Sequence, residues 1–116
     1  MFSSLMPKYH PYLTPAKWSA KPKITQILNI AAELSRSKHW IDKNDPHEIK
    51  NCLNRAFELI DLTIADCKWS NGLKELLRFR ELLADFYIRA DKDFDYFQKL
   101  FRVWLNFDAQ SALVKI

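Results

Sequence analysis

The stretch from Asp45 to Lys68 reads DPHEIKNCLNRAFELIDLTIADCK, and its opening carries the strongest helix-start signal in the chain. Asp45 is a natural N-cap, Pro46 suits the first helical position because its missing N–H has no partner there anyway, and Glu48 completes an Asp-x-x-Glu box. Ile49, Cys52, Leu53, Ala56, Phe57, Ile60, Thr63, Ile64 and Cys67 then recur at helical spacing. They draw one apolar face over about five turns, a period that no strand shares. The stretch predicts a helix over 46–68.

The same reading extends outward. Asn71-Gly72 breaks the pattern, with Ser70 or Asn71 placed to cap the next helix. Leu73, Leu76, Leu77, Phe79, Leu82, Leu83, Phe86 and Tyr87 predict a helix over 73–90 that is apolar around more than half of its circumference. Asp91 and Asp93 introduce a helix over 93–107 with a stripe of Phe94, Phe97, Leu100, Phe101 and Trp104, and the tail beyond it either extends that helix or docks back. Upstream, Ile24, Ile27, Leu28, Ala31, Leu34 and Ser35 predict a helix over 22–38. The short connections favour antiparallel neighbours. The expected fold is all-α, four main helices in a small antiparallel bundle (residues 22–116) with an extended N-terminal arm (residues 1–21). Three prolines at Pro7, Pro11 and Pro15 break the arm, which has room for one turn capped by Thr14.

Composition supports this and excludes much else. The 116 residues contain one glycine, Gly72. Phosphate-cradling loops and the nucleophile elbow need several glycines, and β-hairpins lean on them, so those classes are out. No apolar run approaches the length of a membrane span, and the first residues lack the continuous apolar core of a leader, so a cytoplasmic protein without membrane contact is expected. Cys52 and Cys67 lie roughly 22 Å apart along one expected helix, too far to pair, and read as small buried hydrophobes.

The motifs that suggest chemistry mostly dissolve. Asp91-Lys-Asp93-Phe-Asp95 opens like a calcium loop, but Tyr96 and Arg102 stand where the loop needs Gly and Glu. His39, Asp42, Asp45, His47 and Glu48 crowd one corner, yet match no zinc spacing, and two of them have capping work. Ser35-Arg-Ser-Lys38 lacks every other mark of the enzymes that use that spacing. No catalytic constellation, metal site or cofactor is expected.

Two features stand out. Residues 1–40 hold six basic side chains and one acid, Glu33, for a net charge of +5, whereas residues 41–116 sum to −1. Lys8, Tyr9, Tyr12, Lys17, Trp18, Lys21 and Lys23 interleave cations with rings, the composition of a single-strand nucleic-acid surface, or of rings packed on the bundle beneath solvated lysines. The second is Arg80, which falls within the apolar arc of its helix, about 20° from Leu73 and Tyr87. It is expected to be buried and to pair with Asp108 or, failing that, Asp66; without a carboxylate it would mark an anion or small-ligand site. The leading expectation is a non-enzymatic interaction module that self-associates or docks a protein partner through the 73–90 and 93–107 helices. Nucleic-acid binding through the arm and the 22–38 helix is the alternative.

Overall fold

A computed structural model describes the backbone of residues 7–114 and the side chains of residues 7–107. Five α-helices fill most of it, four of them long: α1 (Pro15–Ser19), α2 (Lys23–Asp42), α3 (Pro46–Ile64), α4 (Leu73–Ile88) and α5 (Phe94–Val114). A 3-10 turn at Cys67–Gly72 leads into α4, and no strand occurs among the described residues.

Local chemistry explains the boundaries. Thr14 Oγ1 accepts from the Lys17 amide at 3.1 Å with Pro15 at the first position, so the broken arm does contain one short helix. Asp45 accepts from the Glu48 amide at 3.1 Å, the first half of its box, while the Asp45 amide goes to the Trp40 carbonyl instead of to Glu48. Asp93 accepts from the amides of Asp95 and Tyr96 at the start of α5. The α2–α3 corner takes only three residues. Asn44 adopts φ 57°, and the amides of Asn44 and Asp45 return to the carbonyls of Ile41 and Trp40 at 3.1 and 3.2 Å. This double back-bond closes a helix end, and asparagine tolerates the left-handed conformation it demands.

Several boundaries differ from the expectation. α2 continues to Asp42, past Lys38. α3 stops at Ile64, because Asp66 caps the 3-10 turn through the Lys68 amide; Cys67 therefore sits exposed on that turn, while Cys52 is buried as expected. Gly72 occupies the α4 N-cap with no side-chain bond, so neither Ser70 nor Asn71 caps it. α5 runs on to Val114, so the tail extends the helix.

α2 packs on α3 and α5, α3 on α4, α4 on α5, and α1 on α3. The radius of gyration is 13.9 Å, close to the roughly 13 Å expected of a packed domain this long. The buried arc of α2 is displaced from the expected one. Leu28 and Ser35 face solvent, while Gln26, Ile30, Glu33 and Ser37 are buried. A helix covered by two long neighbours and by the arm buries more than one stripe, and here the second includes the polar Gln26, Glu33 and Ser37.

Candidate sites: the arm junction and the α4–α5 face

Residues 8–10 dock onto α2 and α3 through a cluster of charge. The carboxylate of Glu58 in α3 accepts from the backbone amides of Lys8 and Tyr9, the latter at 2.9 Å, and from His10 Nδ1 at 2.6 Å. The other ring nitrogen, His10 Nε2, lies 3.1 Å from the buried Glu33 carboxylate of α2. A carboxylate only accepts, so a carboxylate facing each ring nitrogen favours the doubly protonated imidazolium. The bond to Glu33 raises the His10 pKa most; burial opposes it, and the bond to Glu58 adds to the rise. Burial by itself would push the Glu33 carboxyl up, but the bonds from His10 and Arg55 outweigh it and hold the group below its ordinary value. Arg55 Nε and Arg36 Nη1 reach the same Glu33 oxygen at 3.2 and 3.4 Å, and Arg55 Nη1 donates to the Tyr9 carbonyl. None of His10, Glu33, Arg36, Arg55 or Glu58 is among the expected site residues. One signal for them exists in the sequence: Glu33 is the single acid among six basic residues in positions 1–40.

A second cluster fixes the other end of the arm. Trp18 is 1% exposed and donates from Nε1 to Thr63 Oγ1 at 3.0 Å. Gln26 donates to the Trp18 carbonyl at 2.9 Å and to Asp66 at 3.0 Å, and accepts from Trp69 Nε1 at 2.7 Å. Lys68 Nζ binds Asp66 and the carbonyls of Ser19 and Lys21. Trp18 is therefore a core residue that cannot stack on a base, which corrects its place in the expected nucleic-acid surface. Of the other expected members, Lys8, Tyr12 and Lys17 are exposed, whereas Tyr9, Lys21 and Lys23 are half-buried, the last with Nζ 5.1 Å from the Trp69 ring. No described side-chain donor or acceptor in the interior lacks a partner.

Arg80 does not meet Asp66, one of its two expected carboxylates. Asp66 is occupied by Gln26 and Lys68, and the Asp108 side chain lies outside the described residues. Arg80 instead grips Asp61 of α3, with Nε and Nη2 at 2.8 and 3.3 Å, and its guanidinium carbon lies 4.8 Å from the Phe57 ring centre. Its side chain is 33% exposed, so it flanks the buried stripe of Leu76, Phe79, Leu83 and Phe86 instead of lying within it. The guanidinium is engaged by the Asp61 carboxylate.

The opposite edge of α4 looks different. Between α4 and α5 runs an open groove of about 540 Å³ floored by Phe79, Leu82 and Phe107. Leu77 and Val103 on its sides are 44% and 43% exposed. Lys74, Glu75, Arg78 and Glu81 line it as well, two of each sign. Among the described residues, no group of three or more His, Cys, Asp or Glu side chains is placed to hold a metal, and no helix is long and apolar enough to cross a membrane. No family model, curated protein or solved structure matches the chain.

Proposed function

We propose that this protein is a non-enzymatic helical interaction module that pairs with a second copy of itself through the α4–α5 face, on a small antiparallel bundle of α2–α5. The observation that carries the reading is the groove, with Leu77 and Val103 left open beside an aromatic floor. Apolar surface gathered in a groove and edged by polar groups is what a partner covers. The charges point to the occupant. Two cations and two anions line the groove, so a second copy of the same face offers Glu75 and Glu81 to Lys74 and Arg78. The three-residue α2–α3 corner and the short Arg89–Asp93 link support antiparallel neighbours. Sedimentation velocity tests the pairing. The expected mass is twice 13.8 kDa, falling to 13.8 kDa in a Leu77→Glu, Val103→Asp variant. A wild-type monomer at about 100 μM, tenfold or more above the dissociation constant of an ordinary dimer, overturns it.

A further inference from the structure

The arm does more than cover α2. Between it and the body lies a second cleft, of about 490 Å³, inside the roughly 300–1,000 Å³ span of small-ligand sites. From the cleft's composition we infer that it binds a phosphorylated nucleoside, with Arg36 and Arg55 on the phosphate and Tyr12 stacked on the base.

Charge is the first argument. Lys21, Arg36 and Arg55 line the cleft against a single lining carboxylate, Glu33, beside His10, whose two ring nitrogens are already taken by Glu33 and Glu58. That carboxylate is buried and already bonded by His10, Arg36 and Arg55, so its charge is spent inward. The cations exceed it, and two of them are open to water: the Arg36 and Arg55 side chains are 53% and 38% exposed. Both guanidinium groups converge on one Glu33 oxygen, which fixes them close together at the cleft wall. Among the described residues, Arg36 spends only Nη1, on Glu33 and the Ala32 carbonyl, and Arg55 spends only Nε and Nη1. The remaining donors of two adjacent forks suit the several acceptor oxygens of a phosphate better than a lone halide or a single carbonyl.

The rings are the second argument. Tyr9, Leu13 and Trp18 wall the cleft, and Tyr12 stands on its lip 87% exposed, the most exposed large apolar side chain among the described residues. Its carbonyl accepts from Lys17 Nζ, which ties a cation to the same lip. A planar ring presented to solvent beside clustered cations is the pairing that stacks a base while neutralising its phosphate.

The source of that chemistry is either a free mononucleotide or the phosphorylated end of a single strand, and calorimetry on the full chain separates them. The probes are adenosine monophosphate, a 5′-phosphorylated oligonucleotide, the same oligonucleotide without its phosphate, and inorganic phosphate. Binding of adenosine monophosphate supports the site with the free ligand as its source. Binding of the phosphorylated strand alone supports it with a strand end. Arg36→Gln and Tyr12→Ala remove exposed side chains and leave the core intact. The first is expected to weaken binding by about tenfold or more, and the second by at least about fivefold, the lower end of one base–aromatic stack. Equal affinity for inorganic phosphate and adenosine monophosphate, equal affinity for the two oligonucleotides with no mononucleotide binding, indifference to both variants, or no binding at about 10 mM ligand each overturn the inference.

Discussion

Where the arm meets α2 and α3, one buried ring, Trp18, is surrounded by hydrogen-bonded polar groups: Glu58 on two arm amides, His10 between two carboxylates, Gln26 joining Trp18, Asp66 and Trp69. Where α4 meets α5, the contact is made of rings. Phe79 lies 5.0 Å from Trp104, and Phe86 lies 5.1 Å from Phe97, centre to centre. Apolar burial is non-directional and tolerates a range of registers; a bonded polar cluster admits one geometry and loses heavily when a partner goes missing. The ring junction thus supplies stability, and the polar junctions specify where a proline-broken arm of low intrinsic helicity must lie. Only the polar kind of contact responds to pH.

The largest expected effect tests the ring junction. Phe79→Ala should cost about 3–5 kcal/mol, because a fully buried ring leaves a cavity among Trp104, Phe107 and Leu76 that a close-packed interior cannot refill. Denaturant unfolding measures it. A loss under about 1 kcal/mol would mean that α4 and α5 repack freely and that the contrast with the arm is false.

The polar junction should answer to pH instead. His10 has its pKa raised above the ordinary 6.5, chiefly by Glu33, so its contribution to arm docking is complete below 6.5 and disappears as pH rises through the raised value. Glu33 is held below the ordinary 4.5 by His10 and Arg55 against the pull of burial, so its contribution is complete above 4.5 and disappears as pH falls through the lowered value. The facing groups are Glu33 and Arg36 from α2, and Glu58 and Arg55 from α3. Docking is therefore strongest between 4.5 and 6.5. His10→Ala should cost roughly 1–3 kcal/mol in that window and progressively less on the alkaline side. The difference in melting temperature between wild type and variant at several pH values is the measurement. A pH-independent difference would show that His10 serves by shape alone.

How much of this the sequence shows depends on which kind of contact is asked about. The 46–68 reading found the start of α3 because capping is local: Asp45, Pro46 and Glu48 act within one turn. It missed the end, where Asp66 caps the 3-10 turn through the Lys68 amide; the same carboxylate is also bonded by Gln26 from 40 positions upstream, and no local pattern records that second bond. The buried polar residues of α2 were illegible for the same reason. On a helical wheel Gln26 and Glu33 belong to the solvent side, and only the folded arm turns that side inward. The candidate surfaces divide likewise. The wide apolar arc of α4 forecasts exposed Leu77, whereas the arm cleft needs Arg36 and Arg55 brought to one carboxylate from different helices.

The smallest expected effect concerns Arg80 and Asp61, a polar contact set in the apolar half of the molecule. Were the pair buried, removing one partner would cost about 3–5 kcal/mol through the stranded charge. The side chains are 33% and 29% exposed, so water screens each charge and rehydrates whichever one is left. Asp61→Asn should then cost only about 0.2–1 kcal/mol, less as salt rises. Arg80→Ala should cost more than Asp61→Asn, because it also strips the guanidinium from the Phe57 face 4.8 Å away. Such a contact is worth roughly 0.5–1 kcal/mol at an exposed site. Arg80→Met keeps much of the apolar stem and falls between them. Urea unfolding of the three variants orders the effects. An Asp61→Asn loss near that of Phe79→Ala would place Arg80 inside the core after all, and the contrast between the two halves of the molecule would have to be redrawn around it.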